Sequence, residues 1–289
     1  MIVSASYRTD IPAFYGDWFR KRYETGRVSV RNPYNNALYD VSLRKEDVSG
    51  FVFWKKNAKR FLNALEIVSK DAIPFVVQHS ITGYPTVLER SAPGAEDAIA
   101  TIREIARRYG SRVPVWRYDP VVFTEVTPND RHIANFSSLA SQMDGYIDEV
   151  VVSVAQIYRK TRRNLDKASK VGGFAWFDPP VEEKQSLLGA LLDIAAKHGM
   201  TLTICSQPDI PVPGIAPARC IDADRLSDIA AKPVAARQKG NRPGCLCAES
   251  RDIGTYDTCP MGCVYCYAVS DRPRAQARHR AHNPENPEL

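Results

Sequence analysis

Cys259-Pro260-Met261-Gly262-Cys263-Val264-Tyr265-Cys266-Tyr267 is the stretch around which the rest of the chain is read. Three cysteines at C-x3-C-x2-C spacing, with Gly262 to permit a tight turn and aromatic residues beside the last thiol, describe a short loop folding three sulfurs toward one point. Thiolates are soft ligands that favour zinc or an iron–sulfur cluster, and both commonly take four. Three at this spacing leave one coordination position for something else. The competing readings are a structural zinc knuckle, which normally supplies two close pairs, and a redox-sensitive thiol group.

The 289 residues suffice for one sizeable core, and α/β barrels of this length form single domains. Apolar residues make up 44%, and the mean hydropathy is −0.32, as in a soluble globular protein. Met1–Ser6 lacks a basic region followed by an apolar run, and no stretch approaches the roughly 20 apolar residues of a membrane span, so no membrane partner is expected. The expected location is cytoplasmic, where seven cysteines stay reduced and serve metals rather than disulfides. The net charge of +6 is concentrated in Arg159, Lys160, Arg162, Arg163 and the run Arg272–Arg280. Such a face attracts phosphate on a cofactor or nucleic acid, or is simply solvated.

Upstream, strands and helices alternate. Apolar runs predict strands at Ile2–Tyr7, Phe51–Trp54, Pro74–His79, Val113–Arg117, Glu149–Val154 and Thr201–Cys205, with a hairpin or inserted loop around Asn32-Pro33. Helices are expected over Ala13–Thr25, Asn57–Lys70, Glu96–Tyr109, after Thr127-Pro128, over Val181–His198 and near Asp222–Ala231. Six strand–helix units in series argue for parallel strands joined by right-handed crossovers. A doubly wound sheet is the open alternative to a partial (β/α)6 TIM-like barrel. Residues 1–231 are assigned to the barrel, 232–270 to a cysteine-rich segment packed on its mouth, and 271–289 to a flexible tail.

Working residues of parallel barrels project from the carboxyl ends of strands. Arg8, Asp10, Trp54, Lys55, Asn57, His79, Arg117, Asp119 and Cys205 fall there. Arginines in such a mouth hold carboxylates bidentately, and acids bind hydroxyls or carry protons. Alternatively Arg8–Asp10 and Arg117–Asp119 are loop-stiffening ion pairs, and His79 is a core histidine. Outside the triplet remain Cys205, Cys220, Cys245 and Cys247, the number that saturates a second iron–sulfur cluster or a zinc ion.

With Tyr265 immediately before Cys266, the triplet resembles the signature of radical S-adenosylmethionine enzymes. Arg8–Gly16, Val30–Pro33, Trp116-Arg117-Tyr118-Asp119-Pro120, Tyr158–Asn164 and Arg242-Pro243-Gly244-Cys245 resemble the bacterial family called domain of unknown function 1848. The resemblance implies that Cys259, Cys263 and Cys266 hold a [4Fe–4S] cluster whose open iron chelates S-adenosylmethionine. It also implies Tyr265 beside the adenine, with Trp54, Asn57 and His79 as further cofactor contacts and Arg8, Asp10, Arg117 and Asp119 orienting cofactor and substrate. The implied chemistry is a 5′-deoxyadenosyl radical that abstracts hydrogen from a small-molecule, peptide or nucleic-acid substrate, fed by flavodoxin or ferredoxin. The Arg117–Pro120 corner is also loosely similar to spore photoproduct lyase-like repair enzymes. Three features depart from the pattern: Lys55 stands where threonine is expected, Met261 stands where histidine is often found, and the triplet follows all six units instead of the first strand. Its loop must therefore reach back over the mouth or supply a permuted strand. A metal-stabilised binding protein without catalysis is the rival expectation.

Overall fold

The computed structural model describes residues 1–289. Its strands are β1 (Ile2–Ala5), β2 (Arg27–Arg31), β3 (Leu38–Ser42), β4 (Gly50–Lys55), β5 (Phe75–Ser80), β6 (Pro114–Val121), β7 (Glu149–Val154), β8 (Thr201–Ile204), β9 (Ala216–Pro217) and β10 (Ser250–Asp252). The chain is a mixed α/β protein built on an eight-stranded parallel sheet in the order β10-β1-β4-β5-β6-β7-β8-β9. β2 and β3 form a separate antiparallel hairpin. No helix is long and apolar enough to cross a membrane.

All six expected strands are present because each is an apolar run covered on both faces, as parallel strands with helical crossovers require. Alternate residues serve different layers. Val3, Phe51, Phe53, Phe75 and Val77 pack on helices Gly16–Thr25 and Leu62–Lys70. Ile2, Val52, Val76, Val115 and Val151 gather on the other face with Ala218, Cys220, Ile221, Cys247 and Ala248. This second cluster joins the two edges of the sheet: Ala248 N donates to Ile221 O at 2.9 Å, linking the segment after β9 to that before β10.

Three parts of the C-terminal half differ from expectation. The segment 232–270 contributes β10, which extends the main sheet on the free edge of β1. It is therefore no layer resting on a finished barrel of residues 1–231. The basic run Arg159–Arg163 opens a helix, Arg159–Gly172, that was not expected although its buried Thr161, Leu165 and Ala168 fall at helical spacing. Residues 271–289, expected as a flexible tail, form the helix Arg272–Ala281 and a packed strap. Asp271 caps that helix by accepting from Arg274 N. Trp18 Nε1 donates to Asn286 O at 2.9 Å, Arg22 to Glu285 O at 3.1 Å, and Ser29 N to Pro287 O at 3.0 Å. Removing residues 283–289 should therefore destabilise the protein by about 3 kcal/mol, from three hydrogen bonds at about 1 kcal/mol each. Denaturant unfolding will show no change if the tail is loose.

His132 is 1% exposed in the helix Asn129–Met143. Its Nδ1 faces Tyr118 Oη at 2.9 Å and its Nε2 faces Val122 O at 3.2 Å. A neutral ring accepting from Tyr118 and donating to Val122 satisfies both contacts. Burial lowers its pKa to about 4. The unfolded chain binds that proton more readily, so the stabilisation is complete above about pH 6.5 and is lost as pH falls toward 4, amounting to about 3 kcal/mol. Thermal midpoints across this range should fall more steeply for the wild type than for His132→Gln.

Candidate metal centre

A cavity of about 680 Å³ opens at the carboxyl ends of the strands, and all seven cysteines line it. All are free thiols.

β10 carries the triplet into this cavity. Asp252, at its end, accepts from Ser4 Oγ (2.8 Å), Ser6 Oγ (2.6 Å), Tyr7 N (3.1 Å) and Gly254 N (3.0 Å). Tyr15 Oη donates to Thr258 O at 2.7 Å, fixing the chain just before Cys259. Gly262 makes the turn at φ +86°, a conformation that disfavours any side chain. Beyond it Val264 N donates to Leu88 O at 3.0 Å, and Arg272 Nε donates to Pro260 O at 3.1 Å.

The sulfurs themselves are partly open to the cavity but closely surrounded by protein. Burial pushes the Cys259 thiol up to about 12 and raises Cys263 and Cys266 as well. Nearby backbone groups of Met261 and Asp10 act against that rise at Cys259, and those of Ala268 and Val269 at Cys266. Left alone, three such thiols stay protonated, whereas a bound metal deprotonates them and N–H donors then stabilise the thiolates. The donor set fits a thiolate-held cluster. Lys56 adds a positive charge beside Cys263. Its Nζ pairs with Glu89 at 2.8 Å and lies 5.9 Å from the Tyr265 ring centroid. Tyr265 Oη and Thr82 Oγ1 also donate to Glu89, so the aromatic residue of the loop is held at its hydroxyl.

The expected polar residues divide. Arg8 and Asp10 do not pair with each other. Arg8 lies between the Tyr7 and Tyr256 rings (5.4 and 5.3 Å to the centroids) and 3.7 Å from Asp252. Asp10 accepts from Lys56 N (2.6 Å) and Ala13 N (2.9 Å), and burial raises its pKa to about 6. Arg117 and Asp119 do form an ion pair at 2.7 Å, and Ser153 donates to the other Asp119 oxygen. Trp54 lines the cavity, its Nε1 donating to Ser4 Oγ at 3.0 Å and its ring 5.2 Å from the Arg117 guanidinium. Asn57 and His79 are not among the lining residues. Asn57 Oδ1 accepts from Lys59 N at 3.1 Å. His79 is fully buried behind the wall, its Nε2 3.1 Å from Lys56 O, and burial holds it neutral.

Sequence reasoning placed Lys55 at the mouth and missed Lys56, Glu89 and Asp252 as parts of the site. Lys55 is 4% exposed, lines the cavity, and its Nζ has no hydrogen-bond partner. Burial drives its pKa well down, against the attraction of Asp10. Its signals in the sequence were its place at a strand end and the departure from threonine there. Glu89 and Asp252 lie in a loop and a three-residue strand without any pattern of their own.

Cys205, Cys220, Cys247 and Cys245 also converge. Cys220 Sγ lies 3.5 Å from Cys205 Sγ; Cys247 neighbours both Cys220 and Cys245. Within this row the hydrogen bond from Cys247 pulls the Cys245 thiol down to about 5.

Among curated proteins no match is found. A crystal structure from Bacteroides thetaiotaomicron, designated an alpha-L-fucosidase, is similar at 13% identity with a TM-score of 0.32, over 83% of this chain and 85% of that one. A likeness that slight carries no functional argument. The model of the domain of unknown function DUF1848 matches residues 2–268, nearly the whole chain. The chain therefore belongs to the DUF1848 family.

Proposed function

We propose that this protein is a radical S-adenosylmethionine enzyme of partial-barrel architecture, with Cys259, Cys263 and Cys266 as the ligands of a [4Fe–4S] cluster. The observation that carries the reading is strand order. The triplet follows β10, which is last among the strands in sequence and first in the sheet. Its loop thus occupies in space the position after the first strand, which the resemblance implies for it in sequence. The meeting of the segments flanking β9 and β10 supports a curled sheet around the shared inner cluster.

When bound, the cluster supplies one electron for reductive cleavage of the sulfonium cofactor, the source of the abstracting radical. The chain's own residues do the remaining work. Lys55 is a buried donor on the wall with no hydrogen-bond partner, whereas Arg117 is already paired with Asp119. A carboxylate arriving beside Lys55 restores the charge that burial removes and gains a charge-assisted hydrogen bond. Arg8, held between Tyr7 and Tyr256, offers a flat polar face near the same loop. Asp10 and Asp252 hold backbone amides, which positions the chain from Ser6 to Ala13 and makes them positioning residues rather than proton carriers. Tyr265 and Trp54 wall the cavity, which limits water around the reacting atoms.

Anaerobic reconstitution should load about four irons that depend on the triplet, and reductant plus S-adenosylmethionine should then yield 5′-deoxyadenosine. A Cys259→Ala, Cys263→Ala, Cys266→Ala protein that still forms it would overturn the assignment. Lys55→Met should weaken S-adenosylmethionine binding at least about tenfold and leave the iron content unchanged. The same change should raise the thermal midpoint of the metal-free protein, because it removes an unpartnered buried amine. Unchanged affinity in calorimetry would exclude Lys55 from the cofactor site.

A further inference from the structure

We infer that Cys205, Cys220, Cys245 and Cys247 hold a second iron–sulfur cluster, fully ligated by protein, in the wall of the same cavity. The four thiols come from separate places in the chain: the end of β8, the segment after β9, and the loop before β10. Simple core packing accounts for Cys220 and Cys247, which are buried among Ile2, Val52 and Val115. Cys205 and Cys245 pack at the margin of the same cluster but are partly exposed to the cavity, which core packing alone does not require.

The neighbours of the sulfurs point the same way. Arg117 Nη1 approaches Cys220 Sγ at 3.1 Å, Arg242 Nη2 approaches Cys205 Sγ at 3.4 Å, and Ile221 N approaches Cys247 Sγ at 3.4 Å. A neutral thiol is a weak acceptor, whereas a thiolate is a strong one, so two guanidiniums and an amide aimed at these sulfurs suit an anionic set. Four thiolates on a cluster carry net negative charge, which Arg117 and Arg242 offset inside the protein.

Four thiolates saturate either a four-iron cluster or a zinc ion, and metal analysis separates the two. A tetrahedral zinc site would gather all four about 2.3 Å from one centre. A four-iron cluster takes one thiolate on each iron and so draws its ligands from a wider area. With four protein ligands it leaves no iron open, so this centre would store or relay an electron and would not bind S-adenosylmethionine. The assignment stands independently of the triplet.

The test uses full-length protein with Cys259→Ala, Cys263→Ala and Cys266→Ala, reconstituted anaerobically with iron and sulfide. The expected result is about four irons and four sulfides per chain, visible absorbance that bleaches on reduction, and an electron paramagnetic resonance signal unaffected by S-adenosylmethionine. Colourless protein, with zinc or with no metal, would overturn the inference. Because the triple variant can fold poorly, a second protein carries only Cys205→Ser and Cys245→Ser, the two partly exposed members. Its iron content should fall by about half relative to wild type, and its remaining signal should respond to S-adenosylmethionine; undiminished iron would equally overturn the assignment.

Discussion

A single buried carboxylate ties the last strand to the first. Asp252 receives two serine hydroxyls and two backbone N–H groups from β1, its following loop and Gly254, with Arg8 close by. A carboxylate so enclosed is costly to desolvate, and hydrogen bonds of this number repay that cost only in one arrangement. The register of β10 on β1, with Ile2 opposite Ser250 and Ser4 opposite Asp252, follows from it. The triplet begins seven residues further on, so its location depends on this anchor.

The cavity is governed by a related constraint, the pairing of charge in a poorly solvated space. Lys56 is answered by Glu89 and Arg117 by Asp119. Lys55 has no hydrogen-bond partner at all, and it is assigned to a ligand. Around these groups, Tyr265 and Trp54 supply an apolar wall whose polar tips are tied back to the protein. The wall is therefore fixed by hydrogen bonds made outside the space where a ligand would lie.

Much of the fold was legible because burial on both faces leaves a continuous apolar signature, as in Val150-Val151-Val152 of β7 or Phe51-Val52-Phe53 of β4. β10 left no such signature. It is only Ser250-Arg251-Asp252, and its polar character reflects an anchoring task that becomes visible once β1 lies beside it. The helix Arg159–Gly172 carries a readable stripe of Thr161, Leu165 and Ala168 that was passed over in favour of its charge, and the strap after Asn283 is held by contacts through backbone carbonyls that leave no pattern. The cysteines were legible individually, since their chemistry is written in the residue type. That Asn57 and His79 turn away from the cavity was not legible, because a strand end does not determine which neighbour a side chain meets.

The strap and β10 share one further property, their order of appearance. Chains emerge from the ribosome amino end first, so β1 through β9 are available while the strand occupying the outermost place beside β1 has yet to be made. Until then the edge of β1 is bare, and Ser4 and Ser6 lack the carboxylate they will bind. Trp18 likewise waits for Asn286. The thiol loop therefore reaches its final setting only once synthesis has passed both.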